Sequence, residues 1–228
     1  LPTAQADRLF VGAGTSGLRA FNILSGTISS QYTLTLPNAP FDVEGLSRDG
    51  MRLLLAASYG GMRVVDITDL GSMSQLATSG STLGRVHGVA AAPTGYAYLA
   101  GEQGGLLVYQ IQAGSPMTLT WRNTLLTTGT AYDAAGTDRF AYVADFSYGL
   151  DIVDLLAPGG PTLVSPPATF FFQGTSVALA GPLAIVGDFS GFVRVLDVSD
   201  PAAPSELGAV FVTAARISSI AVAGTRAY

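Results

Sequence analysis

One imidazole, His87, and five carboxylates, Asp42, Glu102, Asp133, Asp145 and Asp188, are the side chains of this 228-residue chain best suited to act together on a ligand. Acids converging on a single imidazole can hold a cation, a sugar or a basic peptide. Two of Asp42, Asp133, Asp145 and Asp188 at a suitable separation could also hydrolyse a glycosidic bond. Other chemistries are closed. The sequence has no cysteine, so disulfides, thiolate zinc sites, iron–sulfur clusters and thiol nucleophiles are excluded. All 11 basic residues are arginine, which removes Schiff-base chemistry and the phosphate lysine of a P-loop. One histidine cannot build a multi-histidine metal site, and a Ser–His–Asp triad would lack its G-x-S-x-G. No cofactor or metal is expected.

One motif points elsewhere and fails on its surroundings. Gly12-Ala13-Gly14-Thr15-Ser16-Gly17 is a literal G-x-G-x-x-G after the apolar run Leu9-Phe10-Val11. The next acid, Asp42, is too far on to hold a ribose. The segment Leu18–Leu24, which should open a helix, aligns with strands elsewhere in the chain. Gly17 recurs as Gly61, Gly105 and Gly149, better read as backbone positions needing positive φ in a tight loop.

That recurrence belongs to a repeat. RLFVGAGTSGLRAFNI (8–23), RLLLAASYGGMRVVDI (52–67), YAYLAGEQGGLLVYQI (96–111), FAYVADFSYGLDIVDL (140–155) and LAIVGDFSGFVRVLDV (183–198) align. Their closing polar residues, Asn22, Asp66, Gln110, Asp154 and Asp197, are 44, 44, 44 and 43 residues apart. The fourth copy reads as strands at Ala131–Ala135, Phe140–Ala144, Leu150–Leu155 and Thr162–Ser165, separated by Gly, Pro and Asp turns. The middle strands are apolar on both faces, as in Val64-Val65 and Ile152-Val153, so each sheet must stand between two others. A four-stranded unit of about 44 residues sandwiched between its own copies is a β-propeller blade.

The chain is therefore expected to be all-β and a single domain over residues 1–228: a five-bladed β-propeller of four-stranded antiparallel blades, with residues 1–7 a leader or linker. It starts in a second strand (Arg8–Ala13) and finishes with a first strand (Ile217–Ala223) and the beginning of another (Arg226–Tyr228). Pairing of the C-terminal strand with the N-terminal blade would close the ring and remove exposed edges; an arc cut from a longer array is the other reading. By repeat phase, Asp42, His87 and Asp133 open inner strands, while Asp145, Asp188 and Glu102 follow second strands. All six then ring one mouth of the channel, alongside the loop aromatics Tyr59, Phe146, Tyr148, Phe189 and Phe192. Asp66, Asp154 and Asp197 instead suit Asx turns where strands end.

The stretches Leu150-Asp151-Ile152-Val153-Asp154, Arg63-Val64-Val65-Asp66-Ile67-Thr68-Asp69 and Arg194-Val195-Leu196-Asp197-Val198-Ser199-Asp200-Pro201, with Tyr142-Val143-Ala144-Asp145, resemble the LVIVD-repeat family. The resemblance covers residues 8–228 and is weakest in the third copy, where Gln110 replaces the aspartate. It implies a propeller of bacterial or archaeal origin, extracellular or at the cell surface, and no particular activity. The expected function is a non-enzymatic ligand-binding or adhesion module taking a protein or carbohydrate at the mouth. The alternatives are a propeller glycoside hydrolase and a purely structural scaffold. A monomer is expected. Nucleic acid is not a partner, because the net charge is −5 and no basic cluster exists. No membrane span is expected either: the most apolar stretch, Val177–Gly187, is broken by Gly181-Pro182 and far short of roughly 20 residues.

Overall fold

The doubly apolar strands are buried on both faces because each sheet of the repeat stands between neighbours. In the second sheet Leu53 and Leu55 pack toward the first, while Leu54 and Ala56, alternating with them, pack toward the third. The structure, a computed structural model, describes residues 8–24, 27–36, 42–45, 51–80, 84–92, 95–165 and 170–228. Residues 1–7, read from the sequence as a leader or linker, lie outside the described residues.

Among the described residues the chain is all-β, with two single 3₁₀ turns at Gly14–Ser16 and Leu70–Ser72. The first sheet holds β1 (Arg8–Gly12), β2 (Leu18–Leu24) and β3 (Thr27–Leu34). The second holds β4 (Asp42–Gly45), β5 (Arg52–Ala56), β6 (Met62–Asp66) and β7 (Ser74–Thr78). The third holds β8 (Gly88–Ala91), β9 (Tyr96–Ala100), β10 (Leu106–Gln112) and β11 (Thr118–Leu125). The fourth holds β12 (Ala131–Gly136), β13 (Phe140–Asp145), β14 (Gly149–Asp154) and β15 (Thr162–Leu163). The fifth holds β16 (Gly174–Ala180), β17 (Leu183–Asp188), β18 (Phe192–Asp197) and β19 (Ser205–Phe211). Each is an antiparallel meander whose strands follow chain order. Successive first strands β4, β8, β12 and β16 lie against one another, so the sheets fan out from a common inner edge. This is a propeller-like arrangement.

Leu18–Leu24 is a strand, as the repeat requires and a dinucleotide motif forbids. Gly17, Gly61, Gly105 and Gly149 have φ of 80°, 71°, 69° and 82°. At Gly105 a Cβ would also overlap the Leu125 carbonyl oxygen, so both conformation and close approach demand glycine there. Four apolar clusters fill the gaps between consecutive sheets, and the middle strands β13 and β14 are almost wholly buried.

The expected pairing of Ile217–Ala223 with Leu9–Ala13 is not formed. Only Val222–Ala223 is strand (β20), and it pairs with β21 (Arg226–Ala227), while β1 pairs with β2 alone. Gly224, at φ +60°, supports a two-residue turn between β20 and β21. A strand meeting its immediate successor costs little loop-closure entropy, whereas one reaching the other end of the chain must order everything between.

Candidate functional site

The turn after each second strand sits beside the start of an inner strand. Glu102 N–H donates to Ala131 O at 3.1 Å and Ala131 N–H donates back to Glu102 O at 3.1 Å. Ser58, 44 residues earlier, bridges Val86 at the equivalent place, its carbonyl accepting from Val86 N–H at 3.2 Å. Ser58 and Glu102 both hold a left-handed φ, 50° and 41°. The same unusual backbone in two copies, making the same sheet-to-sheet bridge, marks an architectural feature of the repeat.

His87 and Glu102 meet here: Nε2 and Oε1 are 2.6 Å apart, both side chains half-buried. The His87 ring stacks on Tyr132 at 5.1 Å and 12°. Tyr132 stacks on Phe146 at 5.2 Å, and Phe146 meets the exposed Phe189 edge-on at 5.4 Å. Arg216 lies over the Tyr132 ring, its Cζ 5.9 Å from the centroid. The result is a row of rings crossing from the third sheet to the fifth, capped by a guanidinium. Beside it is a cavity of about 290 Å³ lined by His87, Tyr132, Asp133, Thr175, Arg216, Ser218 and Ser219. A second cavity, of about 350 Å³, lies between the inner strands, against Val89–Ala91, Asp133–Gly136, Val177–Leu179 and Ser219–Val222.

The expected carboxylates divide. Glu102 faces His87. Asp133 opens onto both cavities, yet its Oδ2 accepts from Val177 N–H at 2.9 Å, tying the fourth sheet to the fifth. Asp145 and Asp188 do not stand open at the mouth, where repeat phase alone places them: they are 0% and 1% exposed. Asp145 accepts from the N–H groups of Gly129, Ser147 and Tyr148 at 2.7, 2.9 and 3.1 Å. Asp188 accepts from Ser190 and Phe192 N–H, both at 2.9 Å, and from the Arg194 guanidinium at 2.9 Å. Each carboxylate turns back under its own loop because the tight turn leaves several N–H groups without strand partners. Asp42 is on β4, opposite Ala56; its side chain lies outside what is described.

His87 stands one rung from Asp133, and both line the first cavity. Gly88 pairs with Ala100, Asp133 with Ala144 and Ser176 with Gly187, so His87, Tyr132 and Thr175 share the rung before. Bulges between Ala131 and Asp133 and between Gly174 and Ser176 make that shift. A bulge has no sequence signature here, which is why Tyr132 escaped the sequence reading. Arg216 escaped it because it lies in the irregular segment before β20, outside the aligned copies.

The aspartates assigned to Asx turns behave as such. Thr68, Leu156 and Ser199 N–H donate to Asp66, Asp154 and Asp197 at 2.8, 2.9 and 2.9 Å. Hydrogen bonds to Arg139 and to Ser199 hold Asp154 and Asp197, respectively, below the ordinary carboxylate range. Asp151 goes the other way: burial foremost, and the nearby Asp145 charge, push it up against the opposing hydrogen bonds from Thr128.

Fold and sheet order define an all-β repeat protein of propeller-like architecture. The LVIVD repeat model matches residues 128–169 and 173–212, so the fourth and fifth units are LVIVD repeats. Two solved structures share the fold. One is the computationally designed Ika8 protein, at TM-score 0.69 and 10% identity over 97% of this chain and 64% of that one. The other is Sqt1 of Chaetomium thermophilum, solved bound to the N-terminus of the ribosomal protein L10, at TM-score 0.64 and 19% identity over 93% and 61%. This chain spans less than two thirds of the length of either. No curated protein matches it. Among the described residues no helix is long and apolar enough to cross a membrane.

Proposed function

We propose that the five sheets are propeller blades, with β20 and β21 beginning the inner part of a sixth, and that the chain is an extracellular or surface-exposed module binding a protein or carbohydrate over the mouth. The observation that carries the reading is the row His87, Tyr132, Phe146 and Phe189 with Arg216 laid across it. Aromatic rings beside a polar cavity offer apolar contact area and fixed hydrogen-bonding groups at low entropic cost. Arg216 is exposed and makes no ion pair among the described residues. Its charge is available to a partner's carboxylate or hydroxyl groups. Extracellular placement rests on the LVIVD resemblance.

The module carries no chemistry of its own in this reading. Support comes from Asp145 and Asp188, whose oxygens are committed to backbone N–H groups and, in Asp188, to Arg194. The test is an array of immobilised glycans and peptides probed with the whole chain and with Tyr132→Ala and Arg216→Ala. Loss of at least tenfold in affinity for the best hit in both variants is expected. Retention in both sinks the mouth as the site. Turnover of any aryl glycoside, abolished by Asp133→Asn, would overturn the non-enzymatic reading.

A further inference from the structure

On the other side of the His87–Glu102 pair lies a depression of about 870 Å³. It runs between the second and third sheets. Tyr59, Trp121 and Leu126 stand along it, 58%, 56% and 72% exposed, over a floor of buried Leu107 and Tyr109. Glu102 and Gln103 supply polar groups at its inner end. We propose that this groove binds a neutral oligosaccharide, at a site separate from the mouth and sharing only Glu102 with it.

Three observations choose that ligand. Trp121 donates its indole N–H to Thr124 Oγ1 at 3.0 Å, so the ring is held and its face, not its donor, is presented. Tyr59 has the Arg85 guanidinium on its ring, 6.0 Å from the centroid. Flat, restrained rings suit the C–H face of a pyranose, which gains contact area without ordering a flexible side chain. Glu102 spends Oε1 on His87, and its second oxygen, with the exposed Gln103 amide, can serve the donors and acceptors of sugar hydroxyls. Arg85 is spent on the ring of Tyr59 and is not itself among the lining residues, whereas the Glu102 carboxylate is, so uronic or sulfated chains are disfavoured. The volume lies toward the upper end of ordinary ligand sites, roughly 300–1,000 Å³.

The chain contains one tryptophan and nine tyrosines, so fluorescence excited at the red edge, where tyrosine does not absorb, reports Trp121 in this groove alone. The whole chain is titrated with cello-, chito-, xylo- and maltohexaose, and with a hexauronate as the charged control. A saturable change in Trp121 emission with at least one neutral hexasaccharide is expected. Affinity should fall tenfold or more in Tyr59→Ala, Glu102→Gln and Gln103→Ala, and stay unchanged in Phe171→Ala. Tyr59 and Gln103 are exposed, so those variants keep the test open if Glu102→Gln disturbs the His87 contact. No response up to millimolar sugar overturns the proposal. So does a response only to the hexauronate, or one that survives Tyr59→Ala and Gln103→Ala. Mouth variants Tyr132→Ala and Arg216→Ala should leave this titration intact, which separates its failure from that of the mouth site.

Discussion

At the scale of the residue, what matters is where each carboxylate spends its oxygens. Asp145 satisfies three backbone N–H groups and Asp188 two, with Arg194 besides. Asp145→Ala and Asp188→Ala should each destabilise by about 2–4 kcal/mol, because the buried donors lose their acceptor and, in Asp188, a buried ion pair is broken. Urea unfolding checks this; a loss below about 0.5 kcal/mol in both would return these residues to the list of ligand contacts. Asp151 has a pH consequence of opposite sign to its neighbour Asp154. Its folded pKa is raised, so the folded state holds the proton more tightly than the unfolded chain. The stability it contributes is fully present below the unfolded carboxylate value and is lost as pH rises through the folded one. Asp154, depressed mainly by Arg139, contributes above the ordinary value and loses that contribution as pH falls. Asp151→Asn keeps an acceptor for Thr128 and removes the charge. It should therefore be neutral or stabilising at pH 7, with the gain shrinking in acid; an unfolding midpoint lowered at pH 7 would contradict this.

At the scale of the element, the turns after the second strands set what the strands can present. Gly191 sits at φ +88°, and a Cβ there would overlap the Thr213 carbonyl oxygen. Gly14, at φ +56°, has nothing within 4 Å of such an atom. Gly191→Ala should cost more than about 2 kcal/mol, Gly14→Ala only about 1, the conformational penalty alone. Equal midpoints in thermal denaturation would show that crowding at Gly191 is relieved cheaply. Phe170-Phe171-Phe172 illustrates the same division. Phe170 and Phe172 enter the core between the fourth and fifth sheets, while Phe171 between them is 94% exposed. Three adjacent aromatics on an extended segment cannot all face one side.

For the whole molecule, stability follows from sheets that each depend on neighbours. The second, third and fourth sheets have an apolar cluster on both faces, the first and fifth on one. The hairpin β20–β21 touches the rest through β16 and through Ile217, whose carbonyl accepts from Thr175 Oγ1 at 2.5 Å. Repeat arrays with nearest-neighbour coupling open from their ends. Amide exchange should therefore be slowest in β5, β6, β9, β10, β13 and β14, and fastest in β20–β21, then β1. Uniform protection across all sheets would mean a single cooperative unit.

Length of repeat, strand order and the glycines at 17, 61, 105 and 149 were determined by the sequence alone, because each is a local demand. Doubly apolar strands need two covered faces, a tight loop needs positive φ, and an aspartate at a strand end finds the N–H two residues on. The same locality carried the sequence reading as far as placing Glu102 and His87 at one end of the sheets, and the structure brought them into contact. Tertiary structure alone decided the rest. Two bulges moved Tyr132 and Thr175 onto the rung of His87, and burial drew Asp145 and Asp188 inward under their own loops. Arg216 was swung over Tyr132 from a segment with no repeat partner, and β20 found β21 before it could reach β1. These outcomes depend on competition between distant groups for the same hydrogen bonds and the same space, and a repeat phase, which counts residues, does not register that competition.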